Sequence, residues 1–172
     1  MKVFLTGFMG AGKSSVGRLL AARLGVPFVD LDSRIEEVAG RSIVDVFAAG
    51  GEAALRRVEA EALGAVLATR GGGVVAVGGG TFTVPGNLED AKRAGLVVWL
   101  HPPFAEIARR IAAHGKADRP LFRDEGAALE LYRSRLPSYR ESDLVLDVES
   151  GETAAETAAR LALRLAEMRC ST

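Results

Sequence analysis

Apolar residues come in short, separated bursts along this chain, and the length and spacing of each burst assign an element. Lys2 to Thr6, Phe28 to Asp32, Val74 to Val77, Leu96 to Leu100 and Leu144 to Asp147 are strand-length. Runs such as Val74-Val75-Ala76-Val77 are apolar throughout, the mark of a strand covered on both faces. Between them the spacing turns helical. Val16, Leu19, Leu20 and Leu24 fall on one face of a first helix, and Leu55, Val58, Leu63 and Val66 give a side to a long stretch from Glu52 to Thr69. Ala154, Ala158, Leu161 and Leu165 do the same for the last helix. Shorter helices are predicted around Ile43, Val46 and Phe47, through Leu88 and Ala91, and from Pro103 to about His114. A further one runs through Tyr132 and Leu136 to Pro137, which should end it.

Polar punctuation fits this division. Ser33 with Glu36, Ser42 with Asp45 and Thr153 with Glu156 have the spacing of helix caps. Gly115 to Gly126 has no apolar period and carries Lys116, Asp118, Arg119, Pro120 and Arg123, a description of a mobile surface segment. Strands alternating with helices imply a three-layer α/β/α domain around a parallel sheet. Ligands of such folds gather at the carboxyl ends of the strands. Gly7, Asp30, Asp32, Gly78 to Gly80 and His101 each follow a strand, so all are expected to face one crevice. The 172 residues suit a single domain, 1–172, with no repeat or linker.

Charge narrows the partners. Lys and Arg total 22 and Asp and Glu total 22, so no bulk field favours nucleic acid or an anionic membrane, and an anionic ligand must be met by particular cations. The apolar runs are too short to span a bilayer. Lys2 and the apolar residues after it could pass for a targeting segment, but glycines interrupt that stretch and Lys13 ends it. Cys170, the one cysteine, cannot form an intrachain disulfide, which suits the cytoplasm, and it is expected in a frayed tail.

The densest chemistry lies between the first strand and the first helix. Gly7-Phe8-Met9-Gly10-Ala11-Gly12-Lys13-Ser14 fits the phosphate-binding pattern G-x-x-x-x-G-K-[ST] in its proper strand–loop–helix setting. Glycines let the backbone curl around a phosphate chain, and the helix adds free N–H groups and a positive dipole end. Gly10, Ala11, Gly12, Lys13, Ser14 and Ser15 are therefore the expected triphosphate cradle. Lys13 is suited to the terminal phosphates and the Ser14 hydroxyl to Mg²⁺.

A second set of residues carries a resemblance. Together with that loop, Asp30-Leu31-Asp32, Gly40-Arg41-Ser42-Ile43, Phe47 with Gly51-Glu52, Arg56-Arg57 with Glu59, Gly78-Gly79-Gly80, Arg119-Pro120, and Arg135 with Pro137 and Tyr139 stand in the order found in shikimate kinases. From about Val3 to Tyr139 the chain resembles that family. The resemblance implies a five-stranded parallel sheet in the order 2-3-1-4-5 and transfer of the ATP γ-phosphate to the 3-hydroxyl of shikimate. It implies a substrate-binding segment of about 32–60 and a lid of about 113–126. By the same resemblance Arg56 and Arg135 bind the substrate carboxylate, and a planar guanidinium suits that two-pronged contact. Asp32 bonds the reacting hydroxyl, Gly78 to Gly80 join the acceptor site, and Phe47 forms an aromatic wall. Asp30 organises the Mg²⁺ water shell, Arg110 packs on adenine, and Arg119 closes over the nucleotide as part of the lid. Glu59, one turn beyond Arg56, is spaced to hold that guanidinium. Family members are often monomeric, and a monomer is expected. Where the family often has an aromatic residue beside the first arginine, this chain has Leu55, and no arginine near Val148 to Glu152 is available for adenine.

Two other readings compete. A gluconate kinase would share the P-loop and a carboxylate substrate, while Asp-x-Asp, the Arg56–Glu59 spacing and the triple glycine favour shikimate. A non-catalytic ligand-sensing descendant would be expected to have lost Lys13, Asp32 or Arg119, and it has lost none of them.

Overall fold

The computed structural model of the chain describes residues 1–114 and 124–170. Five strands, β1 (Lys2–Thr6), β2 (Phe28–Asp30), β3 (Gly73–Ala76), β4 (Gly95–His101) and β5 (Leu144–Asp147), pair in the order β2-β3-β1-β4-β5. Every pairing is parallel. The order and the parallel sense match the expected fold.

Among the described residues, seven α-helices connect and cover the strands: α1 (Lys13–Leu24), α2 (Leu31–Ala39), α3 (Ile43–Ala68), α4 (Asn87–Ala94), α5 (Phe104–His114), α6 (Glu125–Arg140) and α7 (Ala154–Cys170). Alternation along β1 divides the core: Val3 and Leu5 pack with Val16, Leu20, Leu161 and Leu165, while Phe4 packs with Leu31, Ile35, Leu63 and Val75. That is the period of two in a strand buried on both faces. A third cluster, with Phe8, Trp99, Ile107, Tyr132 and Tyr139, lies where α5 and α6 meet the loop after β1.

Several boundaries differ from the sequence reading. Strand β2 stops at Asp30, whose carboxylate caps α2 by accepting from Asp32 N–H at 3.2 Å. The cap is therefore Asp30 rather than Ser33, because its carboxylate takes the free amide of Asp32, two residues further along, before Ser33 is reached. In α1 the buried stripe runs through Val16, Gly17, Leu20 and Ala21, and Leu19 turns outward. The two helices expected on either side of residue 50 are joined end to end in α3, with a kink at Gly50 and Gly51. Helix α6 does not end at Pro137 but continues to Arg140. Its last turn is held from outside: Ser138 Oγ donates to the Phe82 carbonyl at 2.6 Å and Tyr139 Oη to the Gly79 carbonyl at 2.5 Å. Those anchors stand in for the helical bond that proline cannot donate.

Of the residues 113–126 expected as a lid, 113–114 belong to α5 and 125–126 to the first turn of α6, capped by Asp124, and 115–123 lie outside the described residues. Arg119, with Lys116, Asp118, Pro120 and Arg123, lies outside the described residues. Cys170 is not in a frayed tail but closes α7, exposed. Lys2 is buried and donates to the Thr69 carbonyl at 2.6 Å, just past the C-terminal end of α3. No helix among the described residues is long and apolar enough to cross a membrane.

Candidate active site

A cavity of about 1030 Å³ opens at the carboxyl ends of β1, β2 and β3. Gly10 to Ser15 line it, and so do Asp30, Asp32, Arg56, Gly78 to Gly80, Arg110 and Arg135. Residues from six elements and two loops thus meet around one space, as the strand-end rule requires. His101 does not join them. It lies across from Asp147 in the β4–β5 register, so its Nδ1 sits 2.9 Å from Asp147 Oδ1 and its ring stacks 4.1 Å from Trp99. Gly7 is buried behind the loop. Phe47 is half-buried against the core and lines no part of the cavity; Ile35, Ile43 and Leu55 supply its apolar wall instead.

The loop after β1 is an anion cradle by geometry. Gly12 caps α1 with φ of 94°, a conformation that frees the first helical N–H groups to face the cavity. Lys13 Nζ is held within the loop by the carbonyls of Gly7 at 2.8 Å and Phe8 at 3.0 Å. Arg110 reaches the same region from α5, its Nε bonded to Glu106 Oε1 at 2.8 Å. Two hydrogen bonds from Arg109 and the bond from Arg110 hold the Glu106 carboxyl down at about 2. The arginines themselves provide most of its cover. Val148, Glu152, Ala154 and Thr157 complete this side, and Arg160 pairs with Glu152 at 3.2 Å.

The other side of the cavity is a cluster of charges pressed onto the glycines after β3. Arg56 is anchored by Glu59 at 2.5 Å and by Glu52 at 3.0 Å, the spacing of one helical turn. Glu59 itself is buried and takes a second bond, from the Thr81 hydroxyl at 2.5 Å. A Cβ on Gly80 would lie 2.8 Å from Arg56 Cζ, one on Gly78 would lie 2.7 Å from Glu59 Oε1, and one on Gly79 would lie 3.2 Å from Arg135 Nη1. A side chain on this turn would therefore push aside the Arg56 guanidinium at Gly80 and the Glu59 carboxylate at Gly78, and would crowd Arg135 at Gly79.

Arg135 differs from Arg56 in its surroundings. It is 5% exposed, and no carboxylate among the described residues lies within ion-pair distance. Its guanidinium sits 5.7 Å from the ring centre of Phe8, which eases but does not neutralise the buried charge. Tyr139 lies beside it. Burial pushes that phenol up to about 12 against the pull of Arg135, so it keeps its proton for Gly79. A buried cation with one face open to a cavity is a strong anion site.

Asp32 lies between the two sides. Its place deep in the cleft pushes its pKa up, Asp30, Glu59 and Glu36 push the same way, and Lys13 opposes them. Its side chain nonetheless opens onto the cavity, so solvent reaches it until something occupies that space. Phosphate-chain binding, anion binding and a carboxylate between them describe a site for phosphoryl transfer to an anionic acceptor.

Comparison with known proteins agrees. The sequence profile of shikimate kinase matches residues 9–166. The chain belongs to the shikimate kinase family. A shikimate kinase of Synechococcus elongatus is 40% identical over 164 residues, covering 94% of this chain and 84% of that protein. One from Chlorobium chlorochromatii is 42% identical over 159 residues, covering 86% and 82%. Among solved structures, the shikimate kinase of Acinetobacter baumannii in complex with shikimate superposes with a TM-score of 0.85 at 33% identity, covering 99% of this chain and 93% of that one. A gluconokinase from Sinorhizobium meliloti, at 20% identity and a TM-score of 0.61, shares the fold alone.

The packing behind the site also uses Thr81, Glu106 and Phe8, which no linear motif singles out. Phe8 occupies an unspecified position of the P-loop pattern yet stacks edge-on against Tyr132 at 5.5 Å and under Arg135. Only the hydroxyl directly after three glycines hinted at Thr81.

Proposed function

We propose that this kinase transfers the γ-phosphate of ATP to the 3-hydroxyl of shikimate, giving shikimate 3-phosphate and ADP, a step toward aromatic amino acids. The observation that carries the reading is Arg135, a buried cation facing the same cavity as the P-loop and lacking a carboxylate partner among the described residues. The substrate carboxylate supplies that partner, with Arg56 on its second edge. Family membership and the likeness to a shikimate complex support the same acceptor over gluconate.

Phosphoryl transfer runs through a loose transition state, so the residues position and offset charge. Lys13, released from the loop carbonyls, turns to the β- and γ-phosphates. Asp32 accepts a hydrogen bond from the 3-hydroxyl and directs its lone pair in line. Loading the cavity strips water from Asp32, which strengthens that bond. Arg119 is proposed to close over the phosphates with the segment that bears it. Arg110, braced by Glu106, faces the nucleobase.

Mg²⁺ fits the residues present. The Ser14 and Asp30 side chains line one cavity, while no cluster of three or more metal-binding side chains occurs among the described residues. That sparse set suits a cation that keeps most of its waters. Ser14 would hold it directly and Asp30 through water. When bound, Mg²⁺ offsets charge on the β- and γ-phosphate oxygens. The proposed kinase acts as a monomer, and its single cysteine suits the cytoplasm. The deciding measurement is ADP release with shikimate or gluconate as acceptor. Turnover dependent on shikimate is expected; turnover with gluconate alone would overturn the proposal.

A further inference from the structure

Thr81 opens the 3₁₀ turn Thr81–Thr83 immediately after the triple glycine, and it is completely buried. It does not line the cavity, so it touches no ligand there. Every polar group it owns is committed. Its N–H donates to the Gly78 carbonyl at 3.2 Å, its carbonyl accepts from Asn87 Nδ2 at 2.9 Å, and its hydroxyl donates to Glu59 Oε1 at 2.5 Å. The other oxygen of Glu59 receives Arg56 Nη1, also at 2.5 Å.

We infer that Thr81 is a positioning residue for the acceptor site, fixing the Glu59 carboxylate plane and through it the direction in which Arg56 presents its guanidinium. This rests on the proposed shikimate reading and names what sets the geometry of one arm of its carboxylate clamp. Glu59 sits 3% exposed, so each of its oxygens needs a donor from the protein. With Thr81 in place the carboxylate cannot rotate. Without that hydroxyl one oxygen is left unsatisfied, and the carboxylate must turn or draw in water. Arg56 would follow it. Glu52, the other partner of Arg56, is 59% exposed and cannot hold the guanidinium against such a turn. The Gly80 backbone closes the remaining side, so Arg56 is set by a floor and a brace that belong to one short segment, Gly80-Thr81. Arg135 is held by other side chains, Tyr139 and Phe8, with Tyr139 anchored on Gly79 of the same turn. Both arms stand on the acceptor side, so loss of the Thr81 brace is expected to weaken the grip on acceptor while nucleotide binding is untouched.

The test compares Thr81→Val, which keeps the shape and removes the donor, with Thr81→Ser, which keeps the donor. Thr81→Val is expected to raise the shikimate KM about tenfold and leave the ATP KM within about twofold, the scale of one lost charge-assisted hydrogen bond. Thr81→Ser should restore the shikimate KM. In an Arg56→Ala background Thr81→Val should add almost nothing, because the two act through one contact. Should Thr81→Val fail to fold, Thr81→Cys keeps the volume with a poor donor and serves the same comparison. An unchanged shikimate KM, equal losses for both substrates, or full additivity with Arg56→Ala would each overturn the inference. A wild-type enzyme inert toward shikimate would instead bring down the functional reading itself, and this inference with it.

Discussion

The P-loop side of the cavity is lined by one unbroken stretch, Gly10 to Ser15, whereas the opposite side sets charged side chains from α2, α3 and α6 against the glycine turn. The first is cheap to build, because a loop and a helix start supply donors that need no desolvated charge. The second holds Glu59 and Arg135 nearly out of solvent and needs a brace for each: Thr81 for Glu59, Phe8 and Tyr139 for Arg135. Their carboxylates also titrate in opposite directions. Glu106, which braces Arg110 on the P-loop side, is held down by Arg109 and Arg110, while Asp32, between the two sides, is pushed up by its place in the cleft and by its acidic neighbours. One side is arranged to be stable, the other to be used.

Substitutions can break this contrast, starting with the largest effect. Lys13→Ala removes the loop's mobile charge and should lower kcat about 100- to 1000-fold, the loss of a preorganised electrostatic contact. Calorimetric titration should find nucleotide still bound through the backbone; abolished binding would mean the cradle depends on that side chain.

Asp32→Asn comes next, with kcat down about 100-fold. Its stability effect has a definite sign. The folded protein holds the Asp32 pKa above the ordinary 3.8, so the native state favours the protonated carboxyl and loses stability as pH rises past that value. The asparagine variant should therefore melt above wild type at neutral pH and level with it below about pH 3. In wild type the same shift should move the acidic limb of kcat/KM upward from where an ordinary aspartate would place it. A variant that melts lower at pH 7 would show that Asp32 serves the fold rather than the reaction.

Arg135→Ala should raise the shikimate KM at least about tenfold with kcat much less affected. An unaltered KM would leave the acceptor side without its anion site. Glu106→Gln is the mildest. Because the folded pKa of Glu106 is about 2 against an ordinary 4.5, its contribution is present above 4.5 and lost as pH falls through 2. The variant should melt slightly below wild type at pH 7, with the gap closing over that window, and the ATP KM should rise a few-fold as Arg110 loosens.

Much of this arrangement was legible from particular residues. The P-loop announces itself because its function lies in consecutive backbone groups, and a sequence pattern records those directly. Asp32, Arg56 and Arg135, proposed from the order of their motifs, all line the cavity. Phe47, proposed from the same resemblance, packs against the core, and His101, expected at the crevice because it follows a strand, pairs with Asp147 instead. The braces left no linear trace, since Thr81 and Glu59 are 22 residues apart and Tyr139 and Gly79 are 60.

By itself the sequence determined the elements, the parallel α/β class and the triphosphate cradle, because these follow from local periodicity and from backbone chemistry in adjacent residues. Its motif order also carried the family. Only the tertiary structure decided which oxygen each buried charge would find, that Asp30 rather than Ser33 caps α2, and that the glycines after β3 make room for the arginines. Those outcomes depend on distances between segments far apart in the chain, and such distances exist only once the sheet has brought the strand ends together.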